Sequence, residues 1–436
     1  MSPLKRNSFE KKFSMDCVGH VGLSNQGNTC FMNGGLQAMI SSRVLVSAIL
    51  EAQKSKKDGP MVRAFLEFIR ASCGSDVYKP GPLKEAAGRR NPRFRGFAQE
   101  DSFELIQTVL DGLEEETNLA DKSMKNSVVD NTGLSFEASQ KAFHDNHYKR
   151  LDTPIARCTY SEIVREITCQ KCHRSQYSFE YTQMLLLDLP KDQRSEVTLE
   201  DLLCRKRTSE VEGYRCPVCK DCVTVTLTER LATPAECLII VFKRYEEGSD
   251  SWSFGRSASR FRKNNISVNY PLELVLSIPA TKPPVTQTDE KIESIDKTGE
   301  GGDSVETSYP EISKSEKGRD LPSSGNVPSM DEGLKYDGIA SSGPELLAKA
   351  KGTGQDVAGA RTYVYGFRGA SIQSEGVCGG HYTAVGFGCD GHFYVCNDSH
   401  VTRQDTRSGG SKYQLPREAY IVIYDRVPCP ESPMFY

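Results

Sequence analysis

The sequence has almost no net charge and no long hydrophobic run, and each absence excludes a class of partner. Its 436 residues carry 55 Lys and Arg against 58 Asp and Glu, a formal net charge of -3. This balance provides no bulk attraction for phosphates, so we expect no direct nucleic-acid partner. The longest apolar stretches, such as 237–242, are far shorter than the roughly 20 residues that span a bilayer. We therefore expect no membrane partner either.

An apolar targeting segment is also lacking at the N-terminus, where residues 1–20 form a polar tail of mixed charge. Without a secretion signal, the 15 cysteines are expected to be thiols of an intracellular protein, in the cytoplasm, the nucleus or both. In a reducing compartment, paired cysteines indicate a metal site, and a single cysteine in a special setting indicates a nucleophile.

The composition changes along the chain. Residues 21 to about 116 follow a helical pattern, and strand-like runs rich in β-branched residues begin at about 160. Residues 279–359 are rich in Ser, Gly, Pro and charge and nearly devoid of aromatics, which predicts a disordered insertion. Helices followed by strands, without an internal repeat, favour the α+β class.

The segment "GLSNQGNTCFMNGGLQ" (22–37) joins a turn to a helix. Its first half is rich in Gly and Asn, which tolerate left-handed backbone, and its second half has apolar residues at helical spacing. Cys30 lies at the junction, so it is predicted at a helix N-terminus, where unpaired N–H groups favour a thiolate. A buried cysteine acting as a small hydrophobe is the alternative interpretation of the segment.

Four cysteines have the spacing of a metal site. They form two CxxC pairs, each in a turn between strand-like runs: Cys169 with Cys172, and Cys216 with Cys219. Four thiolates form a closed tetrahedral site, so we expect one structural zinc ion per chain and no catalytic cofactor. Cys222 and His173 are spare ligands nearby, and four unrelated free cysteines are the alternative.

A nucleophilic Cys30 needs a base, and His381 is the candidate among the seven histidines. It precedes a strand-like run, and a predicted hairpin through "GFGCDGH" leads to "CNDS". The hairpin would return Asn397 or Asp398 to His381, where a side-chain oxygen accepts an imidazole N–H as in a Cys-His-Asn/Asp triad. A purely structural histidine is the alternative.

Together these segments resemble the ubiquitin-specific protease family of cysteine deubiquitinases. Residues 22–37 resemble the family's Cys box, GLxNxGNTCYMNSxLQ, and "GHY" at 380–382 with "NDS" at 397–399 resembles its His box. Three further segments resemble family motifs in the right order: "QEDSFEL" (99–105), "LIIVFKRY" (238–245) and "AYIVIYDRV" (419–427).

The resemblance implies a role for each candidate residue. Cys30 is the expected nucleophile and His381 the general base. Asn397 is expected to orient His381, with Asp398 as the second candidate for this position. The side-chain amide of Asn25 is expected to form the oxyanion hole together with the Cys30 backbone N–H.

The resemblance also implies a papain-like α+β fold with a helical thumb, a β palm and zinc-ribbon β fingers that grip ubiquitin. The catalytic domain is expected over 21–430, with the thumb at about 21–155, the fingers at about 160–235, and the palm at about 236–278 and 360–427. The strands flanking the 279–359 insertion are expected to be neighbours in the palm. Asp101 is expected to hold the basic tail of ubiquitin.

Three departures from the family pattern leave the catalytic groups intact. Gly34 and Gly35 cost a helix about 1 kcal/mol each relative to alanine, which suggests close packing or a looser first turn. Arg368 stands where the family usually carries a histidine outside the triad.

The implied activity is that of a monomeric thiol isopeptidase acting on ubiquitin and ubiquitinated proteins through an acyl-enzyme on Cys30. One alternative is an inactive ubiquitin-binding scaffold, although such a protein usually lacks the Cys or the His that this chain keeps. A protease for a ubiquitin-like modifier and a transglutaminase-like enzyme are the others, and the latter would have no need of paired CxxC turns.

Overall fold

The computed structural model describes residues 18–53, 59–74, 76–121, 127–191, 196–247, 261–279, 360–374, 380–388, 390–404 and 414–427. Most of the predicted polar tail (1–20) and nearly all of the predicted insertion (279–359) lie outside these residues. Helices dominate the described part of the chain before residue 160 and strands dominate it afterwards, which confirms the α+β class.

Seven of the described α-helices precede the first strand, and the eighth lies between strands. Their bounds are α1 Cys30–Ser41, α2 Arg43–Ala52, α3 Pro60–Ala71, α4 Gly81–Arg90, α5 Ser102–Thr117, α6 Phe136–Tyr148, α7 Pro154–Thr159 and α8 Leu199–Cys204, with a 3₁₀ turn at Pro92–Arg95. Side chains before several helices accept the first free N–H groups, as Asp101 does from Phe103 at the start of α5.

Helix α1 is buried along its whole length. A Cβ on Gly34 would lie 3.1 Å from Ser371 Oγ in the large sheet, and a Cβ on Gly35 would lie 2.9 Å from Ser102 Oγ on α5. The two glycines thus allow α1 to fit between the sheet and α5, so close packing accounts for them.

The described strands are numbered in chain order. Their bounds are β1 Ser161–Cys169, β2 Ser175–Thr182, β3 Met184–Asp188, β4 Val197–Thr198, β5 Arg207–Arg215, β6 Cys222–Thr233, β7 Cys237–Lys243, β8 Tyr245–Glu247, β9 Phe261–Lys263, β10 Val268–Asn269, β11 Glu273–Pro279, β12 Ala360–Ser374, β13 His381–Phe387, β14 Phe393–Asn397, β15 His400–Gln404 and β16 Ala419–Arg426.

Two sheets dominate this part of the chain. The finger sheet has four antiparallel strands in the order β2-β1-β6-β5. The palm sheet has eight strands, in the order β15-β14-β13-β12-β16-β7-β3 with β11 added on β12. Two short pairs, β4 with β10 and β8 with β9, complete the described strands.

Strand β3 departs from the predicted division of the chain. It lies in the range expected for the fingers, yet it pairs in parallel with β7 in the palm sheet. Its sequence, "MLLLD", buries three of its five side chains. Such an apolar strand needs a covered sheet, and the palm provides one between two hydrophobic cores.

Strands β11 and β12 are direct antiparallel neighbours in the palm sheet. Their register runs from Glu273 opposite Gly366 to Pro279 opposite Ala360. The predicted pairing of the strands that flank the insertion is therefore confirmed.

Arg368 has a defined structural partner on β16. Its Nε donates to Asp425 Oδ2 at 3.0 Å, and the same carboxylate accepts the Ser42 hydroxyl at 2.5 Å and the Arg43 backbone N–H at 2.8 Å. Burial raises the pKa of Asp425, and the guanidinium opposes that shift. Arg368 thus compensates the charge of a buried carboxylate that caps helix α2.

Within the described ranges, no single helix is long and apolar enough to cross a membrane. The bent pair α1 and α2, which meet at 87°, passes that length and composition test only when the two are taken together.

Candidate active site

Cys30 is the first residue of α1, which confirms the predicted helix start. The turn before it uses left-handed backbone at Gly27 (φ 90°) and Asn28 (φ 52°). The side chain of Asn25 holds this turn, because its Oδ1 accepts from the Gly27 N–H at 3.1 Å and from the Thr29 N–H at 3.0 Å. The turn thus places the Cys30 thiol at the N-terminus of helix α1.

His381 begins β13 and lies between Cys30 and Asn397. Its Nε2 is 2.6 Å from Asn397 Oδ1. A hydrogen bond with the Cys30 sulfur favours the imidazolium and raises the pKa of His381 to about 9, although burial opposes this shift and Asn397 adds to it. The three side chains therefore have the geometry of a cysteine–histidine pair that an amide oxygen orients.

Asp398 faces the cysteine turn rather than the histidine. Its backbone is left-handed (φ 49°), and its carboxylate accepts from Asn25 Nδ2 at 3.0 Å and from Asn33 Nδ2 at 2.7 Å. The predicted hairpin of β13 and β14 forms and brings both candidates near the site. Asn397 contacts His381, whereas Asp398 orients the amide of Asn25.

At Gly22 the backbone that leads into the cysteine turn touches the turn after β14 at Asp398 and Ser399. The Leu23 N–H donates to the Asp398 carbonyl at 2.7 Å, and a Cβ on Gly22 would lie 2.2 Å from the Ser399 carbonyl oxygen. Glycine is required here because the two backbones touch.

Sequence reasoning assigned no role to Gln99 or Asn33, which the structure places in the site. Gln99 Nε2 lies 3.8 Å from Cys30 Sγ and also donates to the Gly380 carbonyl. Both residues belong to segments quoted for the family resemblance, and Asn33 is a buried polar residue one helical turn after Cys30. A polar side chain one helical turn after the candidate nucleophile was the available signal for Asn33.

The Asp101 side chain is partly buried and makes its hydrogen bonds within the protein. Its carboxylate accepts the Phe103 N–H at 2.6 Å and the Tyr420 hydroxyl at 2.9 Å. Burial raises its pKa, and the Tyr420 hydrogen bond partly offsets this shift. Asp101 thus joins the start of α5 to β16 beside the cleft, and its contact with a basic tail stays a prediction.

The two CxxC turns meet at one end of the finger sheet. The four cysteine sulfurs lie within 4.8 Å of one another, with 3.8 Å between Cys169 Sγ and Cys219 Sγ and 3.9 Å between Cys172 Sγ and Cys216 Sγ. Zn–S bonds of about 2.3 Å in a tetrahedron set sulfurs about 3.8 Å apart, so the donors fit this ion.

The two CxxC turns have the same backbone conformation and the same backbone hydrogen bond. His173 and Lys220, which follow the two pairs, both have left-handed backbone (φ 58° and 59°), and each donates its N–H to the carbonyl of the first cysteine of its pair. The group of four cysteines in the described residues that could hold a metal ion contains neither Cys222 nor His173, so the spare ligands are not part of it.

Comparison with known proteins agrees with this architecture. The family model described as ubiquitin carboxyl-terminal hydrolase matches residues 21–424. Ubiquitin carboxyl-terminal hydrolase 2 of Bos taurus is 27% identical over 279 residues, which cover 59% of this chain and 44% of the relative. Ubiquitin carboxyl-terminal hydrolase 4 of Mus musculus is 32% identical over 202 residues, which cover 43% of this chain and 21% of the relative. The chain thus spans less than half the length of these relatives.

A solved structure shares the fold. The SAGA Ubp8/Sgf11/Sus1/Sgf73 DUB module bound to ubiquitin aldehyde has a chain that matches with a TM-score of 0.56 and 16% identity, covering 95% of this chain and 71% of that one. The papain-like thumb, palm and finger architecture is therefore confirmed. With the family model matched along most of its length, this chain belongs to the ubiquitin carboxyl-terminal hydrolase family.

Proposed function

We propose that the chain is a deubiquitinating thiol isopeptidase. It hydrolyses the bond between the C-terminal glycine of ubiquitin and a substrate lysine through an acyl-enzyme on Cys30. The observation that carries the proposal is the placement of His381 between the Cys30 sulfur and Asn397 Oδ1. Family membership and the ubiquitin-bound structural neighbour support ubiquitin as the substrate.

The first half of the reaction forms a thioester. The Cys30 thiolate attacks the glycine carbonyl carbon, and the negative charge moves to the carbonyl oxygen. Asn25 Nδ2 carries two hydrogens, of which one binds Asp398, so the other is available to this oxyanion together with the Cys30 backbone N–H. The His381 imidazolium then gives its proton to the leaving lysine nitrogen, and the C–N bond breaks.

The second half releases ubiquitin. Neutral His381 removes a proton from water, the hydroxide attacks the thioester carbonyl, and the C–S bond breaks. The C-terminal carboxylic acid of ubiquitin leaves and loses its proton to solvent, and the Cys30 thiolate again pairs with the His381 imidazolium. The Asn397 oxygen keeps the ring in one orientation through both steps.

We propose further that the finger sheet holds one structural zinc ion. Cys169, Cys172, Cys216 and Cys219 would bind it, and their sulfur spacing supports this assignment. The ion would cross-link the two turns and fix the shape of the fingers, which grip the globular part of ubiquitin. Four thiolates leave no open position, so the chemical step belongs to the cleft.

We also propose that the protein is a monomer that acts in the cytoplasm, the nucleus or both. It would have no direct nucleic-acid partner and no membrane partner. No disulfide links the cysteines within the described ranges, which supports a reducing compartment. The small net charge of -3 supports the absence of a nucleic-acid partner.

The experiment that tests the activity uses ubiquitin whose C-terminus carries a thiol-reactive group. We expect a covalent adduct with the wild-type chain and with Cys204→Ser, which removes an exposed thiol, but no adduct with Cys30→Ser. Cys30→Ser should also abolish hydrolysis of ubiquitin conjugates while it retains ubiquitin binding.

Other outcomes identify the alternatives. Binding without adduct formation in the wild-type chain would indicate a scaffold. An adduct only with a probe built on a ubiquitin-like modifier would change the substrate class. Adduct formation by Cys30→Ser would remove Cys30 from its proposed role.

A further inference from the structure

Gln99 connects the two sides of the cleft through its side-chain amide. It lies in the loop before α5, opposite the start of β13. Its Nε2 donates to the Gly380 carbonyl, and its Oε1 accepts the Gly380 N–H at 3.2 Å. The same Nε2 lies 3.8 Å from Cys30 Sγ, within hydrogen-bond range of sulfur. One side chain thus contacts both the nucleophile and the residue that precedes the base.

The pairing with Gly380 requires a carboxamide. The ladder between β12 and β13 ends at Ser374 opposite His381, so Gly380 lies beyond it and needs other partners for its N–H and C=O. A carboxamide offers one acceptor and a donor in the geometry of a peptide group. A carboxylate could accept the N–H but could not donate to the carbonyl.

The two hydrogens of Nε2 have separate acceptors. One binds the Gly380 carbonyl, and the other lies on the nitrogen that faces Cys30 Sγ. A hydrogen bond to an anion is about twice as strong as one between neutral groups, so this contact strengthens when the thiol loses its proton to His381. The reciprocal pair with Gly380 prevents the amide from rotating away.

We infer that Gln99 is a further catalytic residue, whose amide N–H stabilises the Cys30 thiolate while its pairing with Gly380 keeps that N–H directed at the sulfur. The inference rests on the proposed role of Cys30 as the nucleophile. It adds a donor from the thumb side of the cleft to the His381 and Asn397 pair on the palm side. The competing interpretation is that Gln99 only fastens its loop to β13.

The test measures the thiolate directly and does not depend on ubiquitin. Iodoacetamide alkylates a thiolate by displacement of iodide, so its rate at Cys30, followed by peptide mass spectrometry across the pH range in which thiols titrate, reports the thiolate population. The variants are Gln99→Ala and Gln99→Met, since methionine keeps the length of the side chain without a donor. Gln107→Ala is the matched control, because this glutamine has an exposed side chain on α5 and belongs to no part of the site described above.

We expect both Gln99 variants to alkylate about threefold more slowly at neutral pH, because a shift of one unit lowers the thiolate population about tenfold and raises its intrinsic nucleophilicity about threefold. Their profiles should move to higher pH by about one unit and reach a plateau at or above that of the wild type, because a thiolate of higher pKa is intrinsically more nucleophilic. Gln107→Ala should coincide with the wild type.

Two results would overturn the inference while the proposed function stands. One is a wild-type profile in both Gln99 variants. The other is a lower plateau without any displacement along the pH axis, which would show that Gln99 only fastens the loop. If the alkylation of Cys30 in the wild-type chain has its midpoint at the same pH as that of the exposed Cys204 or higher, the nucleophile assignment and the inference both fail.

Discussion

Replacing Gly22 with alanine adds one methyl group where the cysteine turn meets the turn that follows β14. The new Cβ would lie 2.2 Å from the Ser399 carbonyl oxygen and 2.9 Å from the Ser399 carbonyl carbon. Both contacts are with backbone, so no side-chain rotation relieves them. The two turns must separate by about 1 Å to reach ordinary van der Waals distances.

This separation acts on the catalytic geometry directly. It opens the hydrogen bond from the Leu23 N–H to the Asp398 carbonyl and moves Asn397 and the carboxylate that orients Asn25. Because a displacement of about 1 Å can lower a rate about 100-fold, we expect kcat/KM to fall by about 100-fold, equivalent to about 2.7 kcal/mol. The free energy of unfolding should fall by about 1 to 3 kcal/mol, as for other overpacked sites.

The assay is hydrolysis of a fluorogenic amide at the C-terminus of ubiquitin, with the thermal midpoint measured in parallel. Gly366→Ala is the control, because the nearest atom to its Cβ is Val427 Cγ2 at 4.0 Å. We expect this variant to keep wild-type activity. Equal activities of Gly22→Ala and Gly366→Ala would refute the reasoning, since they would show that the contact between the two turns does not set the position of the catalytic groups.

Three further predictions follow from the site and the fingers. Asn397→Ala should lower kcat far more than it raises KM, because it releases the His381 ring. Asp398→Ala should instead slow the reaction because the Asn25 amide loses the partner that orients it toward the oxyanion. Identical pH–rate profiles for the two variants would contradict these separate roles. The pKa of His381, raised to about 9 mainly by the Cys30 hydrogen bond, predicts that kcat/KM declines on the alkaline side with a midpoint near pH 9, as the imidazolium loses the proton that the leaving amine needs. In Asn397→Ala this midpoint should fall, and an unchanged midpoint would exclude His381 as its origin. Metal analysis should find one zinc ion per chain in the wild type and a loss of zinc, with weaker ubiquitin binding, in Cys216→Ser; a zinc-free wild-type protein would disprove the metal site.

Local chemistry made several features predictable from sequence. The glycine- and asparagine-rich turn before Cys30 indicated the helix start, because such residues adopt the left-handed backbone found at Gly27 and Asn28. The alternation of apolar residues in 273–279 and in the segment after 360 predicted strands that prove to be neighbours. The spacing of the two CxxC pairs predicted a sulfur cluster, since each pair forms one tight turn.

Contacts that depend on distant segments were not predictable in this way. Gln99 and Gly380 are separated by 281 positions, and no periodicity of either segment indicates that a side-chain amide will pair with that peptide group. The choice between Asn397 and Asp398 depends on the left-handed backbone at Asp398, which turns two adjacent side chains to opposite sides. Strand β3 was assigned to the fingers because its apolar pattern does not specify which sheet covers it.

The direct pairing of β11 with β12 has a consequence for protein engineering. Pro279 is the last residue of β11 and Ala360 is the first residue of β12. The two residues lie directly opposite each other in the antiparallel pair, with their Cα atoms about 5 Å apart. Closing a longer loop there costs only about 0.6 kcal/mol per doubling of its length. A fluorescent reporter domain whose own termini lie close together could therefore be joined to Pro279 and Ala360 in place of residues 280–359, with the register of β11 and β12 as its anchor.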